Sequence, residues 1–179
     1  MVSLSPSGTI SGVCTLRGVG TLTEEMKQAV EDQRLAFVAT VDADGTPNLS
    51  PKGTITVLDD DHLMFADLAS PGTVANLRRH PGVEVNVVDV LARKGFRFKG
   101  RGAVYDEGER FEELLAVYAS GPRAVDRARE RIHHIVVIEL ERCLPLVSPA
   151  YDSGATEAEI SERWEAYFTR LWAERSGRT

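Results

Sequence analysis

The sequence predicts a mainly β fold of the α+β class: a small antiparallel barrel with short flanking helices and a helix at its C-terminal end. Three observations carry this. About six segments show strand patterning and are separated by turn residues. The helical patterns between them are short and do not alternate with the strands, so a parallel sheet is not indicated. Residues 156–175 switch to a helical period with one apolar stripe.

Each element has its own signal. Residues 23–33 read as a short helix: Thr21 or Thr23 caps it, Glu24 and Glu25 suit the positive first turn, and Met26, Ala29 and Val30 share a face. Residues 35–41 are a compact apolar strand ended by the turn Asp42-Ala43-Asp44-Gly45. Residues 48–58 alternate and read as one strand. Leu49, Pro51, Gly53, Ile55 and Val57 lie on one face, and Ser50, Lys52, Thr54 and Thr56 lie on the other. Pro51 marks this strand as an edge or an irregular one. Asp59-Asp60-Asp61 turns the chain into a returning strand at 62–67.

Ser70-Pro71 opens a helix to Arg79, with Ser70 as cap and Pro71 at the first helical position. His80-Pro81-Gly82 ends it, and strands are expected at 83–90 and 96–105. Residues 108–119 form a helix with Phe111, Leu114, Leu115 and Tyr118 on one face, followed by a second helical piece at 123–131. Residues 132–140 are the last apolar strand. In the tail, Thr156 and Glu159 fit a capping box, and Ile160, Trp164, Tyr167, Phe168, Leu171 and Trp172 form the stripe. Residues 1–20 have no periodicity and are expected to be a mobile arm. The division is therefore an arm at 1–20, a barrel domain at 21–147 and a C-terminal loop and helix at 148–179.

Composition narrows the function. The chain has 179 residues, 42% apolar and 27% charged, with a net charge of −6. That is globular composition, and the acidic balance argues against a nucleic-acid binder. No apolar run approaches the roughly 18–20 residues that span a bilayer. Residues 1–16 carry no charge and no signal-peptide pattern, so a cytoplasmic protein is expected. Cys14 and Cys143 lack CxxC spacing, and neither a disulfide framework nor a metal site is expected.

Three features could carry chemistry. The helix start at Ser70 to Thr73 offers unpaired amides and two hydroxyls, either to a phosphate or to simple capping. Residues 93–101 hold five basic residues among nine and no acidic one. As a strand they place Arg97, Lys99 and Arg101 opposite Phe96 and Phe98. Those cations face either an anionic ligand or the acidic surplus elsewhere. Ser50, Lys52, Thr54 and Thr56 either line a pocket or form an exposed strand face. His133 and His134, adjacent on a strand, point to opposite sides and read as structural or surface residues. No P-loop, HExxH or GxSxG occurs, and no pair reads as nucleophile and base.

The order of these pieces resembles the pyridoxamine 5′-phosphate oxidase-like, FMN-binding split-barrel family. The resemblance rests on the 35–41 strand with Asp42-Ala43-Asp44-Gly45-Thr46-Pro47, and on Asn48-Leu49-Ser50-Pro51-Lys52-Gly53. The helix start at 70–77, His80-Pro81-Gly82-Val83 and residues 94–100 continue it. It covers residues 23–147. It implies a six-stranded Greek-key split barrel, a homodimer, and FMN in a groove at the dimer interface. It also implies an FMN-dependent oxidoreductase acting on a small-molecule redox substrate. A deazaflavin-dependent reductase and a non-catalytic flavin or haem carrier are alternatives of the same fold.

The family's flavin contacts carry over in part. Lys52 stands on the strand that holds phosphate, beside Ser50, but an arginine usual there is absent. At the helix start, Gly72-Thr73 replace the oxidases' Arg-Lys pair. Phosphate binding would rest on Ser70, Thr73 and the helix amides, with Lys94, Arg97 and Lys99 supplying further charge. The oxidases' C-terminal arginine and histidine signature has no match near residues 144–151, so the substrate and any catalytic proton donor are unassigned.

Overall fold

A computed structural model describes residues 20–121 and 124–177. The expected arm, apart from Gly20, and Cys14 lie outside the described residues. The elements are α1 (Glu24–Asp32), β1 (Ala36–Val41), β2 (Pro47–Lys52), β3 (Thr56–Val57), β4 (His62–Asp67) and α2 (Pro71–Arg79). They continue with β5 (Gly82–Asp89), β6 (Lys94–Tyr105), α3 (Glu109–Ser120), α4 (Ala128–Arg131), β7 (His134–Val147), a 3-10 turn (Pro149–Ser153) and α5 (Glu157–Ser176).

The strands form one antiparallel sheet in the order β2-β1-β5-β6-β7-β4-β3. It curls into a half-barrel, the split-barrel fold. There are seven strands where six were expected. The segment read as one strand at 48–58 is two. Its two halves, β2 and β3, lie at opposite edges of the sheet. The chain leaves the ladder at Gly53-Thr54-Ile55 and crosses between the edges. The Thr54 hydroxyl bonds the Ala66 carbonyl at 2.7 Å and the Ala66 amide at 3.1 Å, which satisfies β4 where the ladder is interrupted.

Other boundaries also move. β7 reaches Val147 because a bulge at Glu141 lets it follow β6 past Leu140. Gly100 is required there, since a Cβ would lie 2.0 Å from the Glu139 carbonyl oxygen. Of the helical piece expected at 123–131, the described residues 124–131 form a helix only in α4, and Arg127 before it is left-handed at φ 50°. The 3-10 turn was not foreseen.

Two cores share β4. Leu63 and Phe65 join Val38, Val85, Phe98 and Ile138 inside the barrel. Met64 and Ala66 face α3 and α4, packing with Phe111, Leu114 and Tyr118. A strand buried on both faces reads as a continuous apolar run, as this one does. Each fully buried Phe or Leu contributes roughly 1.5–3 kcal/mol. Tyr118 also donates its hydroxyl to the Thr54 carbonyl at 2.9 Å, tying α3 to the crossing.

α5 begins at the expected capping box, with Thr156 and Glu159 bonded reciprocally. Only Ile160 of its stripe is buried; Tyr167 and Trp172 are exposed. Arg93 stacks on Trp164 and Lys94 pairs with Glu157, which fastens the helix to the β5–β6 turn. Among the described residues, no helix is long and apolar enough to cross a membrane, and no His, Cys, Asp and Glu cluster could hold a metal.

Candidate functional site

The site forms where β2, the crossing and the start of α2 meet. Ser50 and Lys52 are two apart on β2 and pair with Val38 and Ala36, so both point inward. There the Lys52 ammonium donates to Ser50 Oγ at 2.7 Å and to Ser70 Oγ at 2.5 Å. The Ser70 hydroxyl donates in turn to Asp67 Oδ1 at 2.5 Å, and the Ser70 amide donates to the same oxygen at 2.7 Å. Asp67 Oδ2 lies 3.2 Å from His134 Nδ1. The Phe65 ring sits under the ammonium, 5.4 Å from its centroid. Ser70 begins α2 but does not cap it with its side chain, because that hydroxyl is committed to Asp67.

Lys52 and Asp67 are 5% and 4% exposed. Burial pushes the Lys52 ammonium below its ordinary pKa, and the Asp67 charge offsets part of that. Burial pulls Asp67 upward. The Ser70 hydroxyl and amide, then His134 and Lys52, outweigh it and hold the carboxyl below its ordinary value. The hydrogen-bond chain therefore favours the Asp67 carboxylate, while burial works against the Lys52 charge that the carboxylate partly supports.

The chain borders a cleft of about 340 Å³ lined by Ser50, Lys52, Thr54, Ala66 and Ser70. A second hollow of about 320 Å³ lies beside it and shares Gly53, Thr54 and Leu68 in its lining. A wider recess of about 550 Å³ beside α5 is open, and none of its lining residues is buried.

Of the sequence-predicted residues, the structure brings Ser50, Lys52 and Ser70 together. Thr73 is buried one turn away, with Asn48 Nδ2 at 3.5 Å from its hydroxyl. Lys94 pairs with Glu157 at 2.7 Å and lies over the Tyr151 ring. Arg97 Nε and Lys99 Nζ flank the Glu84 carboxylate at 2.8 and 3.1 Å. Arg97 and Lys99 stand on the outer face of the sheet, in rows with Phe37 and Asn86 and with Ala39 and Glu84. That face also exposes Leu35, Phe37, Val41 and Leu49.

Sequence reasoning missed Asp67, His134 and the Thr54 crossing. Asp67 was legible only as the third residue before a helix-opening serine, the spacing of a side-chain-to-amide turn. Nothing local joins His134 to Asp67, 67 residues away.

Residues 22–142 match the family model for pyridoxamine 5′-phosphate oxidase. The chain belongs to the pyridoxamine 5′-phosphate oxidase family. The match takes in β1 to β6, all of the site residues on β2, β4 and α2, and most of β7. This family member is similar to the solved structure of HupZ from Group A Streptococcus, with 31% identity and a TM-score of 0.61. That match covers 71% of this chain and 95% of the other. An FMN-binding protein from Syntrophomonas wolfei shares the fold at 17% identity and a TM-score of 0.55, over 69% of this chain and 86% of that one. An uncharacterized protein of Methanocaldococcus jannaschii is 32% identical over 90 residues, 49% of this chain; the chain spans 59% of that curated relative's length.

Proposed function

We propose that this pyridoxamine 5′-phosphate oxidase family member is an FMN-binding oxidoreductase of small molecules. In this reading it works as a homodimer with the flavin in the groove between copies. The observation that carries the reading is the convergence of Ser50, Lys52 and Ser70 on one cleft at the start of α2. The ammonium that the two serines hold there, with the helix start beside it, fits a phosphate. One N–H of Lys52 is left over from its two serine bonds, and the first amides of α2 have no side-chain cap. Gly72 leaves open space above that turn. The FMN-binding relative of the same fold supports the choice of flavin.

FMN, when bound, supplies the electron transfer, and the protein binds and orients it. Lys52 holds the phosphate, Ser50 fixes the ammonium, and Thr73 contributes its backbone at the helix start. Arg97 and Lys99 enter from the outer face, which the second copy covers in this reading, and Lys94, on the opposite face of β6 with Phe96, adds charge from beside Glu157. The apolar exposure of Leu35, Phe37, Val41 and Leu49 on that face supports the dimer.

The test is the absorption spectrum of the protein as isolated, then titration with FMN and with a deazaflavin competitor. Micromolar or tighter FMN binding is expected. A colourless protein that binds no FMN overturns the reading, and preference for the deazaflavin replaces the cofactor. Oxidation of a reduced nicotinamide by the loaded protein is expected; failure with every acceptor overturns the enzymatic half.

A further inference from the structure

We propose that Asp67 sets how strongly this cleft selects phosphate-bearing ligands, and that it acts through Ser70. This deepens the flavin reading and rests on it in one arm of its test. Both Ser70 donors, the amide and the hydroxyl, are spent on Asp67 Oδ1. The Ser70 oxygen is thereby turned to accept from Lys52 Nζ, which pins the ammonium between two serines. Asp67 is thus a positioning residue for the one buried cation of the cleft.

Its charge works in the opposite direction. One buried anion stands behind one buried cation, so the pair presents almost no net charge to a ligand. An incoming phosphate gains the ammonium and the helix amides, and it meets the carboxylate's repulsion through a single hydroxyl. The two roles separate chemically. Asp67→Asn keeps an oxygen for both Ser70 donors and removes the charge. Its amide nitrogen takes the place of Oδ2 beside His134, whose Nδ1 can accept from it. Asp67→Ala removes both the charge and the link.

The experiment measures binding of inorganic phosphate, FMN and riboflavin to the full chain and its variants, by calorimetry and flavin fluorescence. In Asp67→Asn, phosphate and FMN affinity rise about tenfold while riboflavin changes less than twofold. In Asp67→Ala the rise is smaller, because the ammonium loses its anchor. Unchanged phosphate affinity in Asp67→Asn overturns the proposal. Equal gains in the two variants overturn the role through Ser70. Where Asp67→Asn does not fold, Ser70→Ala carries the test: phosphate binding weakens about threefold, and unchanged binding overturns the proposal. If the wild type binds neither flavin but phosphate responds as stated, the flavin reading falls and the Asp67 assignment stands.

Discussion

Thr54 closes the split barrel by bonding both backbone groups of Ala66: its hydroxyl donates to the carbonyl at 2.7 Å and accepts from the amide at 3.1 Å. One side chain does the work of a missing strand residue at the point where the chain leaves the ladder. Thr54→Val keeps the shape and leaves two buried backbone groups without partners. A loss of about 1–3 kcal/mol is expected, read as a lower urea midpoint with an unchanged slope.

Gly100 faces the β7 bulge with no room for a methyl group, since a Cβ would meet Glu139 oxygen at 2.0 Å. The obstacle is backbone, so rotamer change cannot relieve it. Gly100→Ala should cost roughly 1–3 kcal/mol. Gly45→Ala, at φ 88° with open space around it, should cost through backbone strain alone. Thermal melts of both variants distinguish steric from conformational cost by their added rescue: shortening the bulge at Glu141 should help only Gly100→Ala.

Lys52 is the sole buried ammonium among the described residues. Under the flavin reading, Lys52→Met removes a charge-assisted hydrogen bond to phosphate worth about 1.5–3 kcal/mol. FMN affinity should fall roughly 10- to 100-fold, with riboflavin affinity nearly unchanged. Equal losses for both flavins would place the lysine away from the phosphate.

The buried pair also predicts a pH profile. Asp67 is held below its ordinary value, so its contribution is complete above the unfolded pKa of about 3.9 and is lost as pH falls through the folded value. Lys52 is also held low, which for a base penalises the charged folded state. Stability should therefore rise with pH between its folded value and about 10.4, where the unfolded chain binds more protons. Urea titrations should show a flatter acid limb in Asp67→Asn and no alkaline rise in Lys52→Met.

Leu49 and Phe37 stand exposed on the outer sheet face beside the Glu84, Arg97 and Lys99 group. Leu49→Glu places a charge in the proposed dimer interface without touching either core. Light scattering should report about twice the 19.6 kDa chain mass for the wild type and one chain mass for the variant, with unchanged circular dichroism. A monomeric wild type removes the interfacial flavin site.

Much of the fold was legible because it is written in short-range periodicity. Alternation over 83–90 and 96–105, the proline-led helix at Ser70 and the Thr156 capping box each depend on neighbours within a few residues. The break at Gly53 to Ile55 was not legible, because β2 and β3 keep the same alternation across it. The apolar stripe of α5 suggested burial, yet Ile160 alone of it is buried, and Trp164 is held at the surface under Arg93.

By itself the sequence determined the family, most of the strands and helices, and three residues of the candidate site: Ser50, Lys52 and Ser70. Side-chain parity and the helix-opening serine are local properties, and they survive folding. Only the tertiary structure decided what those residues face. It put β2 and β3 on opposite edges, aimed Arg97 and Lys99 at Glu84, and brought Asp67 and His134 behind Ser70. Those partners meet through sheet curvature and strand order. Neither is encoded in any short window of the chain.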